Sequence, residues 1–176
     1  GRGGFGGLRG MTLGGVDPNE RTQNAIADLN TFFTEAKTYA ETKQTVTNAR
    51  LAAMKGLFNG SQKLFIAADS QKDIIAAVNF AKNFGITPVI VGGDEAYLVT
   101  DFLKANNIIV VVKTPHSLPT NVDDDVNMPY KNVAKLHNGG VTVVISYGGS
   151  DGFWRQRSLP FVAGTASAWG INKEEA

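Results

Sequence analysis

The sequence predicts an α/β protein built on a parallel sheet, and three observations predict it. From Lys63 onward four short runs are apolar at nearly every position: Leu64 to Ala67, Pro88 to Val91, Ile108 to Val112 and Val141 to Ile145. Stretches with apolar residues at three- and four-residue steps lie between them, the spacing of one face of a helix. Glycine closes these stretches, as at Gly85, where it takes the left-handed backbone that ends a helix. Strands apolar throughout are expected to be covered on both faces, and helices between them imply right-handed crossovers. The pattern alone leaves open whether the sheet closes into a barrel or stays open.

The elements are taken in chain order. Residues Gly1 to Gly15 contain eight glycines, so ordering them costs much backbone entropy, and residues 1–22 read as a loop or ragged end. From Gln23, the apolar residues Ile26, Leu29, Phe33, Ala36 and Ala40 predict an amphipathic helix to about Glu41. A second helix carries Val46, Leu51, Met54 and Leu57 and ends at Asn59-Gly60. Helices are then expected over Ser70 to Phe84, Glu95 to Ala105 and Asn132 to Asn138, with a long loop before the last. Asn172 has the character of an N-cap, yet only Lys173, Glu174, Glu175 and Ala176 come after it. One turn cannot support itself, so the expectation is a chain cut inside a longer protein.

Composition narrows the classes. A chain of 176 residues is near the size of one domain, and 43% hydrophobic against 19% charged residues is the balance of a folded protein. The net charge of +1 supplies no field for nucleic acid or an anionic membrane. No window reaches the ~20 apolar residues of a membrane span. With no cysteine, disulfides and thiolate chemistry are excluded, and the cellular compartment stays open.

The stretch KLFIAADSQKDIIAAVNFAKNFGITPVIVGGDEAYLVTDFLKANNIIVVV, followed by HSLPTNVDDDVNMPYKNVAKLHNGGVTVVIS and FVAGTASAWGINKEEA, resembles the later part of the barrel in amidohydrolase-superfamily proteins of the imidazolonepropionase-like kind. The resemblance rests on the order of several features: a strand ending in A-A-D, one ending in G-G-D-E, the HSLP and DDD loop, and the G-I-N-K-E-E-A segment. It implies a partial (β/α)8 TIM barrel of about four parallel strand-helix units preceded by two helices, with residues 23–176 forming its C-terminal half. It implies a parent that hydrolyses a non-peptide carbon-nitrogen bond in a small amide or cyclic amide. The implied partners are that substrate and the missing N-terminal half of the barrel, or a second copy of the chain, with neither nucleic acid nor membrane.

In such enzymes histidines end strands five and six and an aspartate ends strand eight, holding a metal that makes hydroxide near neutral pH. These positions fall on Ala67, on or beside Gly92, and near Ser146 and Tyr147, with Asp151 the carboxylate nearby. Alanine and glycine have no donor atom, so the expectation is no metal in this chain, with zinc left to the full-length parent. The alternative function is a non-catalytic pseudoenzyme that serves binding or assembly.

Several residues remain as candidates. His116 follows the third strand at the end where barrels place their sites, and an imidazole there can act as acid or base, or lie on the surface as a loop residue. Asp125 and Tyr130 are its candidate catalytic companions, and Asp123 and Asp124 candidate substrate contacts. The three aspartates lack the spacing of a calcium loop, and their plain reading is a solvated loop. His137, near a helix end, complements the helix dipole. Asp69 and Asp94 read as helix caps, and Gly92-Gly93 as a tight strand-to-helix turn. Arg2-Gly3-Gly4-Phe5 and Arg9-Gly10 form one arginine-glycine unit without repetition, and Trp154 with Arg155 and Arg157 is a candidate stacking or anion-binding patch, the plain reading being that Trp154 closes the bottom or rim of a core.

Overall fold

A computed structural model describes residues 18–113, 115–147 and 152–176. The arginine-glycine unit, the glycine-rich start to Asp17, and Asp151 lie outside the described residues. The first helix, α1, spans Pro18–Glu41 and so begins within the stretch expected to be loop. Pro18 stands at its first position, where the missing N–H costs nothing. Two single turns come next, α2 (Ala49–Ala52) and α3 (Lys55–Phe58). They replace the one continuous helix expected there: Ala53 ends the first turn and Met54 opens the second. Val46 precedes both and is exposed.

Strands β1 (Phe65–Ala68), β2 (Val89–Gly92), β3 (Ile109–Val112) and β4 (Thr142–Ile145) form one parallel sheet in the order β1-β2-β3-β4. The helices between them are α4 (Gln71–Asn83), α5 (Thr100–Ala105) and α6 (Met128–Asn138). A 3-10 turn, Ala96–Val99, leads into α5. After β4 come α7 (Gly152–Arg155), a 3-10 turn and α8 (Leu159–Ala168). Helix α8 is not evident in the sequence, since small residues such as Ala163, Gly164 and Ala166 blur its period. The expected start at Asn172 is a single turn whose Oδ1 accepts from the Glu174 N–H.

Register assigns each strand residue a face. The aligned rows Ile66, Ile90, Val110, Val143 and Ala68, Gly92, Val112, Ile145 face the helices. There they join Ile74 and Val78 of α4, Leu103 of α5, and Val133 and Leu136 of α6 in one core. The opposite rows begin with Phe65, Ala67 and Val144, all exposed, while Val91, Ile109 and Val111 are half-buried and Val89 is buried. The expectation of cover on both faces therefore fails within this chain: the helices cover one face and the other is largely bare. Strand order settles what the pattern left open. A doubly wound sheet reverses its strand order and carries helices on both faces, whereas here order is sequential and the helices lie on one face, as in a segment of a barrel.

A second cluster joins α1 to this unit. Phe33 meets Phe80 edge-on at 5.0 Å and Phe84 at 5.3 Å, geometries that aromatic pairs prefer.

Helix α4 starts on a side-chain cap. Ser70 Oγ accepts from the Asp73 N–H at 3.2 Å and donates to the Asp73 carboxylate at 2.8 Å. Ser70→Ala is expected to cost about 1 kcal/mol, read as a lower denaturant midpoint, and an unchanged midpoint would show that the cap contributes nothing.

Candidate active-site rim

Strands of a parallel sheet point one way, so the residues just past their C-terminal ends gather on one rim. Asp69 follows β1, Gly93 to Glu95 follow β2, and Lys113 with the loop 115–127 follows β3. Backbone bonds continue the ladder past the strand ends, with Gly93 N–H donating to Ala68 O and Glu95 N–H to Asp69 O, both at 2.9 Å. These bonds hold the acidic residues in place.

Neither Asp69 nor Asp94 is a cap, contrary to the sequence reading. Ser70 holds the cap position of α4, and Asp69 instead stands 3.7 Å from the Lys113 ammonium. Asp94 accepts a long bond of 3.5 Å from the Thr120 hydroxyl. Burial, and then the neighbouring Asp69, push its carboxyl above the usual range. Glu95, the last residue of the G-G-D-E segment and not among the candidate site residues, carries a carboxylate that ties two segments: it accepts from the Gln71 N–H at 2.8 Å and from the Asn121 amide at 2.9 Å. Asp124 accepts from Tyr97 OH at 3.3 Å and from the Asn121 backbone and side chain at 3.1 Å each. Burial and Asp124 together raise the Tyr97 phenol above its ordinary value.

His116 lies on this rim, exposed. Its Nε2 is 2.8 Å from the Thr165 hydroxyl of α8, and its ring stands 5.5 Å from that of Tyr130 at 32°. Asp125, its candidate partner, is held elsewhere: it pairs with the Lys131 ammonium and accepts from the Asn127 N–H at 2.9 Å. The Lys131 bond draws the Asp125 carboxyl below its usual range. Thus Tyr130 joins His116, Asp124 joins Tyr97, Asp125 joins Lys131, and Asp123 is exposed on the loop. His137 is 3.2 Å from the Glu175 carboxylate near the end of α6, so it ties down the C-terminal turn besides facing the helix dipole. Trp154 is exposed with the Arg155 guanidinium 5.0 Å from its ring centre, so it closes no core.

No protein-family model matches the chain, and no curated protein matches it. Among solved structures, an amidohydrolase from Thermotoga maritima MSB8 superposes with a TM-score of 0.72 at 22% identity, over 90% of this chain. The chain has an amidohydrolase-like fold. It spans 43% of that structure's chain, and its four strand-helix units form part of a TIM barrel.

The likeness to an amidohydrolase raises the question of a metal, and the described residues do not fit one. Ala67, the position that the resemblance matches to the strand-five ligand, is exposed on the open face and carries no donor. Gly92 shares the helix-covered row with Ala68, so the open-face neighbour is apolar Val91. At Gly92 itself a Cβ would fall 1.9 Å from Asp69 Oδ1, so that carboxylate already fills the space. Among the described residues no three of His, Asp and Glu are grouped to hold an ion. Protein purified without chelators is expected to carry less than one zinc per chain by elemental analysis. A stoichiometric metal would redirect attention to His116 and the Asp123 to Asp125 loop.

Proposed function

We propose that this chain forms the C-terminal half of an imidazolonepropionase-like hydrolase that cleaves the carbon-nitrogen bond of a small amide or cyclic amide. The observation that carries the reading is the amidohydrolase-like order of four strand-helix units with titratable side chains collected on their C-terminal rim, where barrels of this kind place chemistry. On that rim His116 is the candidate proton carrier. Tyr130 and the Thr165 hydroxyl hold its ring, and an imidazole can take a proton from the attacking water and return it to the leaving nitrogen as the C–N bond breaks. Zinc, where the full-length protein has it, would be held by ligands outside this half.

The non-catalytic reading has a specific observation in its favour. Ala67 leaves the strand-five position without a ligand, and the Asp69 carboxylate fills the space beside Gly92. This chain alone is expected to be inactive, so the test is turnover of small amides, hydantoins and imidazolones by the full-length protein that contains it and by the same protein with His116→Ala. The hydrolase reading expects turnover that falls about 10²- to 10⁴-fold in the variant, the usual share of a proton carrier. Activity unchanged by the substitution removes His116 from the mechanism. No turnover on any compound overturns the hydrolase reading in favour of the binding role.

A further inference from the structure

Behind the acidic rim lies a small recess between the turn after β2, the loop after β3 and the start of α6. It has room for about 20 Å³, enough for one water-sized group. Asn132 lines it and is 2% exposed. Its Nδ2 donates to the Gly93 carbonyl at 2.9 Å. That bond settles the amide's orientation, because turning it over would set two oxygens against each other. Asn132 Oδ1 is left buried without a hydrogen-bond partner among the described residues. A buried acceptor in that state is costly, because it has lost its water and gained no donor.

The other polar groups of the recess are unequally supplied. Asp124 has three donors. Asp94 has one long bond from Thr120, and its raised proton affinity comes from burial and the neighbouring Asp69. The Tyr97 and Thr120 hydroxyls already donate to these carboxylates. No lysine, arginine or histidine lines the recess. The described ion pairs take Asp69, Asp125 and Glu175, so none is made by Asp94 or Asp124, and Lys113, paired with Asp69, acts on Asp94 only from outside the recess. The recess thus holds no cation of its own, and its buried acceptor, Asn132 Oδ1, has no donor.

We propose that the recess formed by Asn132 and Asp94 is a binding subsite for the ammonium head of a small amine. An ammonium group is about the size of a water, carries several N–H donors, and supplies charge to Asp94 and a donor to the Asn132 amide oxygen together. A bare divalent cation would need about six oxygen ligands, more than the under-supplied groups here provide. The subsite stands independently of whether the protein is a hydrolase.

The test is an NMR titration of the 15N-labelled protein at constant ionic strength, following the Gly93 and Leu118 backbone amides. One probe is methylammonium chloride. The other is tetramethylammonium chloride, which has the same charge and no N–H. Saturable shifts with methylammonium alone are expected, and Asp94→Asn should weaken them at least tenfold. Asn132→Leu should abolish them. Should that variant fail to fold for want of its bond to Gly93, Asp94→Asn on the partly exposed mouth decides by itself. No saturable response to methylammonium, equal responses to the two cations, or a midpoint unmoved by Asp94→Asn would overturn the proposal. Because the probes are unreactive and the readout is binding, failure here is distinct from absence of hydrolysis.

Discussion

Gly92→Ala is expected to lower stability by about 2–4 kcal/mol, the sum of a strained backbone and a crowded Cβ. Gly92 has φ +117, a region in which an L side chain is strained wherever its atoms go. The added Cβ would also sit 1.9 Å from Asp69 Oδ1 and 3.0 Å from the Lys113 side chain. Both neighbours are partly exposed and can swing aside, at the loss of their pairing and of the packing at the strand end. The crowding is therefore partly relieved, and the backbone term is not. Urea denaturation of the two proteins measures the difference. A loss under about 0.5 kcal/mol would mean that residue 92 does not hold this backbone conformation.

A second large effect separates the two faces of the sheet. Ile90 is fully buried on the helix-covered face, and Ile90→Ala is expected to cost about 2–5 kcal/mol through lost burial and a cavity that the surrounding helices cannot fill. Phe65 is 62% exposed on the other face. Phe65→Ala in this chain is expected to cost less than about 1 kcal/mol, since little contact is lost. When the remaining strands of a barrel are present, Phe65 would point into its interior, and the same substitution should rise to about 3–5 kcal/mol. Equal losses for both substitutions in this chain alone would show that the bare face is covered by something, a second copy included. Light scattering on the same sample would distinguish that case.

The rim was legible only in part. Asp69, Asp94 and His116 could be singled out because they follow strands or stand in the loop beyond one, and Tyr130 because it lies next to that loop, placements that depend on sequence order alone. Their partners could not be found. Ser70 takes the cap that Asp69 was expected to provide, and Lys131, six residues on, takes the Asp125 carboxylate expected to orient His116. Competition between nearby groups for one donor is decided by distances of a few tenths of an ångström, which spacing does not carry. Glu95 and Asn132 were missed for a related reason. Each looks like an ordinary helix or loop residue until Gln71, Asn121 and Gly93, all distant in sequence, are brought against it.

The set of parallel strand-helix units was determined by the sequence alone. Continuous apolar runs fit buried strands, three- and four-residue spacing fits helices, and glycine stops them, all local effects of side-chain shape and backbone freedom. The resemblance to amidohydrolases likewise needed only the order of short motifs. The tertiary structure decided that strand order is sequential, that the helices lie on one face, and that Ala67 stands on the bare one. It also decided that the Asp69 carboxylate fills the space beside Gly92 and that Asn132 is left short of a donor. These depend on register and packing between segments far apart in the chain, where a shift of one residue turns a side chain to the opposite face.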